Sequence, residues 1–162
     1  MYERGFFLET YREELLKKKN IGVHFVQDNL SKSQKDTVRG LHYQIERQQD
    51  KLLMVMQGAI LDVAVDLREG SPTFGEHVAM ELSADNKHQM FIPKGFAHGF
   101  SVLSEDALVY YKCSDYYYPE GERGLLWNDP ALDIDWKVAD PIISEKDQHQ
   151  PKLQEIKSED LF

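Results

Sequence analysis

The polar residues that stand out in this chain sit inside short apolar segments. His42 lies in Arg39-Gly40-Leu41-His42-Tyr43-Gln44, and Lys51 opens an apolar run. A second histidine, His98, lies in Pro93-Lys94-Gly95-Phe96-Ala97-His98-Gly99-Phe100, and the pair Tyr111-Lys112 closes a strand-like run. Together these side chains fit one chemistry. A hydrogen beside a ketone is weakly acidic, so its removal needs a base, and histidine titrates close enough to neutrality to serve, at a gain of about 10² to 10⁴ in rate. A cation aimed at the developing oxyanion supplies about 3–4 kcal/mol more. A tyrosine hydroxyl on the opposite face can return the proton and invert the centre. Arg39 falls by simple alternation on the Leu41 face of its strand, so it joins such a pocket only if the chain bends near Gly40.

The segment around His98 has the form P-x-G-x-x-H and resembles the second motif of the cupin superfamily. In metal-binding cupins this histidine is a ligand, and the first motif supplies an H-x-H pair and a glutamate. Here the first region reads His42-Tyr43-Gln44, with glutamine in the place of the second histidine. Zinc and iron sites want three or four ligands, so no metal is expected. The structural alternative for His98 is a buried histidine hydrogen-bonded inside a barrel.

Elements must position these residues, and the pattern is mostly of period two. Residues 9–19 predict a short amphipathic helix, with Tyr11, Leu15 and Leu16 on one side, Thr10 as its cap and Asn20 with Gly22 as its stop. Val23, Phe25 and Val38 suggest strands, with Asp28-Asn29-Leu30-Ser31 as a polar loop between them. Residues 51–56, a turn at Gln57-Gly58, and the alternation of Leu61, Val63, Val65 and Leu67 with Ile60, Asp62, Ala64 and Asp66 predict a hairpin with one buried face. Further strands are expected near residues 78–82, 90–92, 100–103 and 107–112. Gly121-Glu122-Arg123-Gly124 reads as a turn, Leu125-Leu126-Trp127 as a brief strand, and residues 144–157 as partly helical, broken at Pro151. Many short strands with turns between them imply an antiparallel sandwich or barrel. A chain of 162 residues fits one domain, residues 1–162.

The composition excludes several classes. Hydrophobic residues make up 41% and charged residues 29%, as in folded soluble proteins. A net charge of −9 argues against a nucleic-acid surface, which needs clustered Lys and Arg. No apolar stretch approaches the roughly 18 residues that span a bilayer, and the start has no signal-peptide character. The single cysteine, Cys113, rules out an internal disulfide, suits a reducing cytoplasm and reads as a small buried strand residue. A cytoplasmic location is the expectation.

In their order along the chain, the motifs resemble the dTDP-4-dehydrorhamnose 3,5-epimerase family. They run from Glu3-Arg4-Gly5-Phe6-Phe7 through Phe25-Val26-Gln27-Asp28-Asn29 and the His42 segment. They continue in residues 62–68, Ser71-Pro72-Thr73-Phe74-Gly75 and the His98 segment, and end in residues 126–130 and Ile134-Asp135-Trp136. The resemblance implies an all-β, cupin-like double-stranded β-helix (a jelly-roll barrel) with a few short peripheral helices. It also implies no cofactor, a homodimer, and a dTDP-sugar substrate epimerised at C3 and C5. On that basis His42 matches the base, Asp147 the aspartate that orients it, Lys51 the cation near the C4 oxygen, and Tyr111, rather than Tyr110, the acid. Arg39 is implied to contact the pyrophosphate, and Arg4, Phe7, Glu9, Gln27, Asn29, His98, Tyr116, Glu122 and Lys146 to help hold nucleotide or sugar, Arg4 in the neighbouring subunit's site. Two departures from the family pattern carry expectations of their own. The Glu-Arg-Gly-Phe-Phe motif begins at residue 3, so the usual opening strand is expected to be missing. Asp50 stands where a glycine commonly precedes the lysine, and is expected to pair with Lys51 or face solvent. The other readings are epimerisation at C3 or C5 alone, a non-catalytic sugar-nucleotide-binding cupin, and a metal-dependent cupin oxygenase.

Overall fold

The computed structural model describes residues 4–162, so Glu3 of the first motif lies outside the described residues. Among the described residues ten strands form two facing sheets. Strands β1 (Gln27–Gln34), β8 (Asp106–Cys113), β3 (Lys51–Gln57) and β6 (Gln89–Ile92) make the first sheet, in that order and antiparallel. The second runs β10 (Ile142–Ile143), β2 (Thr37–Gln44), β7 (Phe96–Val102), β4 (Ala59–Asp66) and β5 (His77–Ser83), with β9 (Glu122–Gly124) also on β2. Among the described residues only the β10–β2 pair is parallel. Two short helices, α1 (Glu13–Lys17) and α2 (Glu145–Gln148), are peripheral. This is the jelly-roll arrangement of the cupins.

The interior between the sheets has two halves. At one end it is filled by Leu53, Val55, Ile60, Leu82, Ile92, Phe100, Val102 and Val109, all buried. Burying side chains of this size stabilises the fold by about 1.5–3 kcal/mol each. At the other end the inward residues are polar and leave a cavity. A second core covers the outer face of the second sheet, where Val38, Leu41, Tyr43, Leu61, Val63 and Val65 meet Leu125, Leu132 and Trp136 from the C-terminal part of the chain.

Several expectations change. The segment expected as a polar loop is β1, paired with β8 along its whole length. Its inward side chains, Asn29, Ser31 and Ser33, are polar, Asn29 on the cavity and the two serines opposite Val109 and Ala107, so the alternation expected of a half-buried strand is absent. Val23 and Phe25 lie outside any strand. Strands β3 and β4 do not form a hairpin: β3 pairs with β6 and β8, β4 with β5 and β7, and Gln57-Gly58 carries the chain from one sheet to the other. Both faces of β4 are buried, Asp62 and Asp66 included, since one faces the barrel interior and the other the outer core. Glu122–Gly124 is a strand where a turn was expected, and Leu125-Leu126-Trp127 follows it outside any strand. The first helix spans only Glu13–Lys17, and Arg12, not Thr10, precedes it. Thr10 is drawn toward β6 instead, its carbonyl accepting from Gln89 Nε2 at 2.6 Å. Asn20, at φ 62°, does end the turns that follow the helix.

Gly58 shows how tight the crossing is. Its φ is +76°, and a Cβ there would overlap the Asp106 carbonyl and the Ser104 hydroxyl. Gly58→Ala therefore combines a left-handed conformation with a backbone clash, and is expected to cost at least ~2 kcal/mol of stability, read as a lower urea midpoint at unchanged m-value.

Candidate active site

At the open end a cavity of about 210 Å³ is lined by Gln27, Asn29, His42, Tyr43, Gln44, Gln49, Lys51, Tyr111, Cys113, Tyr117 and Glu122. Cross-strand register explains the grouping. Gln27 and Lys51 flank Cys113 on either side, and Asn29 and Leu53 flank Tyr111. Successive side chains on a strand alternate between faces, so Tyr111 and Cys113 point inward together, while Tyr110 and Lys112 point outward. Tyr110 donates there to Asp28 Oδ2 at 2.9 Å.

His42 enters from the opposite wall. Its Nε2 lies 2.6 Å from Asp147 Oδ1. Asp147 is buried on α2, where its own N–H donates to the Ser144 hydroxyl, and its Oδ2 accepts from Gly40 N at 3.2 Å. Burial acts to raise the Asp147 carboxyl, but the bond to His42, the histidine's charge, and the Gly40 and Ser144 bonds outweigh it, and its pKa falls below the ordinary aspartate value. With Asp147 ionised, this bond requires a proton on His42 Nε2, so a neutral His42 has its free lone pair on Nδ1. The chain does bend at Gly40, where the β2–β7 register shifts between Arg39 and His42, but Arg39 is exposed and does not line the cavity. A Cβ at Gly40 would come within 2.6 Å of the His98 carbonyl, so only glycine fits. Arg39 Nε donates to Ser33 Oγ across the sheets at 2.8 Å, and its charge reaches Tyr111.

Burial sets the other ionisations. It lowers the Lys51 ammonium pKa below the ordinary lysine value, against opposing attraction from Cys113, Asp62 and Glu122. Among the described residues Lys51 has no salt-bridge partner within 4.0 Å. Burial raises the Tyr111 hydroxyl, with Cys113 and Glu122 adding to the shift and Arg39 opposing it, so the phenol stays protonated at neutral pH. Glu122 accepts from Lys146 at 2.6 Å and from Tyr117 at 3.0 Å. A second hollow of about 250 Å³ shares Tyr43 and Glu122 with the first and continues past Lys146.

Of the residues singled out in the sequence, His42, Lys51, Tyr111, Gln27, Asn29 and Glu122 line the cavity. Asp147 stands behind His42, and Lys146 beside Glu122. Arg4, Phe7 and Glu9 are exposed and do not line it; Phe7 is 98% exposed. Tyr116 is also exposed, its carbonyl accepting from Gln44 Nε2. His98 is buried and paired with Asp62 at 2.6 Å, and is not among the lining residues. Asp50 neither pairs with Lys51 nor faces solvent, because its carboxylate is bound to Lys94 N and Ser114 Oγ. Sequence reasoning passed over Gln49, Cys113, Tyr117 and Asp62. Cys113 shares a face with Tyr111, a readable signal; Asp62 carries none, because it falls on the side of β4 opposite Leu61, Val63 and Val65 and so reads as solvent-facing. Gln44 spends its amide on Arg47 O and Tyr118 N.

A histidine–aspartate pair on one wall faces a lysine and a neutral phenol on the other, an arrangement that can move a proton beside a carbonyl. A family model described as dTDP-4-dehydrorhamnose 3,5-epimerase matches residues 2–155. The chain is 54% identical over 148 residues to the dTDP-4-dehydrorhamnose 3,5-epimerase of Pseudomonas aeruginosa, covering 90% of this chain and 82% of the relative. It is equally similar, at 54% over 145 residues, to the protein of that name from Neisseria gonorrhoeae, covering 89% of this chain but 44% of that longer relative. The crystal structure of a Legionella pneumophila dTDP-6-deoxy-D-glucose-3,5-epimerase in complex with dTDP-4-keto-L-rhamnose superposes with a TM-score of 0.96 at 49% identity, covering 99% of this chain and 87% of that one. The chain belongs to the dTDP-4-dehydrorhamnose 3,5-epimerase family.

The lowered Asp147 pKa has a signed consequence. A depressed carboxyl stabilises the fold above its unfolded-state pKa, and that contribution is lost as pH falls through the lower folded value. Asp147→Asn is expected to be less stable than wild type at neutral pH, with the gap closing below the ordinary aspartate range; acid titrations followed by circular dichroism measure both curves.

Proposed function

We propose that this protein converts dTDP-4-dehydro-6-deoxy-D-glucose to dTDP-4-dehydro-L-rhamnose by inverting C3 and C5. The observation that carries the proposal is the His42–Asp147 pair facing Lys51 and Tyr111 across one cavity. His42 Nδ1 takes the proton beside the C4 carbonyl, and the electron pair of that C–H bond moves onto the C4 oxygen as an enolate. Lys51 stabilises the oxyanion, a charge absent from the ground state, which is what makes the interaction catalytic. Tyr111 returns a proton to the opposite face; His42 then gives its proton to solvent, Tyr111 takes one back from solvent, and the sequence repeats at the second carbon. One C–H bond breaks and one forms at each centre, so the reaction is redox-neutral.

Arg39, Gln27, Asn29, Glu122, Lys146 and Tyr116 hold the nucleotide and sugar in this reading. The hollow continuing past Glu122 and Lys146 gives an elongated ligand room. A homodimer accounts for the exposed Phe6, Phe7, Leu8, Val78 and Met80, and lets Arg4, Phe7 and Glu9 serve a neighbour's cavity. No described helix is long and apolar enough to cross a membrane; a cytoplasmic enzyme without a nucleic-acid partner is the location and setting we propose.

The test is deuterium wash-in from D₂O, followed at C3 and C5 by NMR. Label at both carbons with the L-lyxo product is the expected result. Label at one carbon makes this a single-centre epimerase, and binding without label makes it a binding protein. His42→Ala should lower exchange at both carbons by about 10² to 10⁴ while leaving dTDP affinity intact. Tyr111→Phe should slow reprotonation more than the initial exchange.

A further inference from the structure

Asp50 stands immediately before Lys51 and is 9% exposed. It does not line the cavity, and all of its bonds lead to other segments. Oδ1 accepts from Lys94 N at 3.0 Å, and Oδ2 accepts from Ser114 Oγ at 3.1 Å. Its own N–H donates to Ser114 Oγ at 2.8 Å, and Ser114 N donates to its carbonyl at 3.0 Å. Lys94 Nζ stays 3.9 Å from Oδ2. The Ser114 hydroxyl thus accepts from the backbone of Asp50 and donates to its carboxylate.

Three pieces of chain meet at this point. One is the first residue of β3, which carries Lys51. Another is the end of β8, which carries Tyr111 and Cys113. The third is the turn at Pro93-Lys94-Gly95, which leads into β7 and His98. Strand ends at a cavity mouth lack ladder partners beyond their last pair, and so fray first. A buried carboxylate that accepts from both neighbours with charge-assisted bonds removes that freedom. The long Lys51 side chain amplifies any movement of its backbone at the ammonium group.

We infer that Asp50, with Ser114 as its partner, is a positioning residue that holds Lys51 and Tyr111 in fixed relation for the two proton transfers. The inference rests on the epimerase reading above. It assigns Asp50 no contact with substrate and no charge effect on the lysine.

The test compares wild type, Asp50→Ala, Asp50→Asn, Ser114→Ala and the Asp50→Ala/Ser114→Ala double variant. The measurements are deuterium incorporation into dTDP-4-dehydro-6-deoxy-D-glucose, kcat and KM separately, and a melting curve for the folded fraction. Asp50→Ala should lower kcat per folded molecule on the order of tenfold to a hundredfold, the scale of a misplacement near 1 Å. Its KM should change by less than about threefold. Ser114→Ala should lose a comparable factor, and the double variant should be no worse than Asp50→Ala, because the two act as one unit. Asp50→Asn keeps an acceptor for Lys94 N and a donor for Ser114 Oγ, and should recover most of the rate. Folded Asp50→Ala with wild-type kcat, equal losses in Asp50→Ala and Asp50→Asn, or multiplicative losses in the double variant would each overturn the inference. If Asp50→Ala does not fold, Ser114→Ala decides, and full kcat there overturns it. Wild type without deuterium incorporation overturns the epimerase reading itself, and the inference with it.

Discussion

Strand β8 is paired on both edges, with β1 on one side and β3 on the other, and its register decides which side chains reach the cavity. Because side chains alternate, a slip of one residue would exchange Tyr111 and Cys113 for Tyr110 and Lys112. Both faces resist that slip. Inside, Ala107 and Val109 are packed in the apolar half of the barrel. Outside, Asp28 accepts from Tyr110 and from Lys112, which also lies 4.9 Å from the centroid of the Tyr11 ring. The apolar end of the barrel and the outward polar cluster therefore fix the same register, and the cavity residues follow from it.

Within that frame the interior charges are unequally matched. His42 has Asp147, His98 has Asp62, and Asp66 accepts from Arg68, Ser71 and Thr73, which pulls its pKa well below the usual carboxylate range. Lys51 has no comparable partner among the described residues, and burial makes its charge costly. In the proposed reaction a counter-charge arises on the C4 oxygen only as the proton leaves. The cation is thus better matched by the enolate than by the ketone. Tyr111, held neutral by burial, is the complementary case, since a phenolate there could not return a proton.

The chemistry was more legible in the sequence than the strands that carry it. His42, Lys51 and the Tyr111-Lys112 pair stood out because titratable residues inside apolar runs need a reason, while the choice of Tyr111 over Tyr110, and Asp147 altogether, came from the family resemblance; the structure gathers His42, Lys51 and Tyr111 in one cavity. Strands with one apolar face, such as β4 and β8, were readable from alternation. Strand β1 was not, because Asn29, Ser31 and Ser33 face inward and remove the contrast between faces that alternation depends on. The false hairpin at Gln57-Gly58 has a different cause: local turn chemistry says that the chain reverses, but not which sheet it reverses into. Asp62 was counted on a solvent face because an aspartate in an alternating strand looks exposed until its partner, His98, 36 residues away, is known.

The two cores have different duties, and the division explains how Asp147 reaches a histidine 105 residues earlier. The core between the sheets sets the strand registers. The outer core binds Leu125, Leu132, Trp136 and Ile143 onto the back of the second sheet, so that the chain leaving them arrives at the β2 edge. There Ile142–Ile143 pair in parallel with Thr37 and Val38, and a single residue, the cap Ser144, separates them from α2. A helix of four residues has little stability of its own. What holds Asp147 in place is the pair of anchors on either side: β10 before it, and Pro151 after it, whose carbonyl accepts from Leu126 N at 2.8 Å. The orientation of the proposed base is therefore set by apolar packing on the far side of the sheet, where no residue touches the cavity except Tyr43, which is buried in the outer core and also lines the cavity wall.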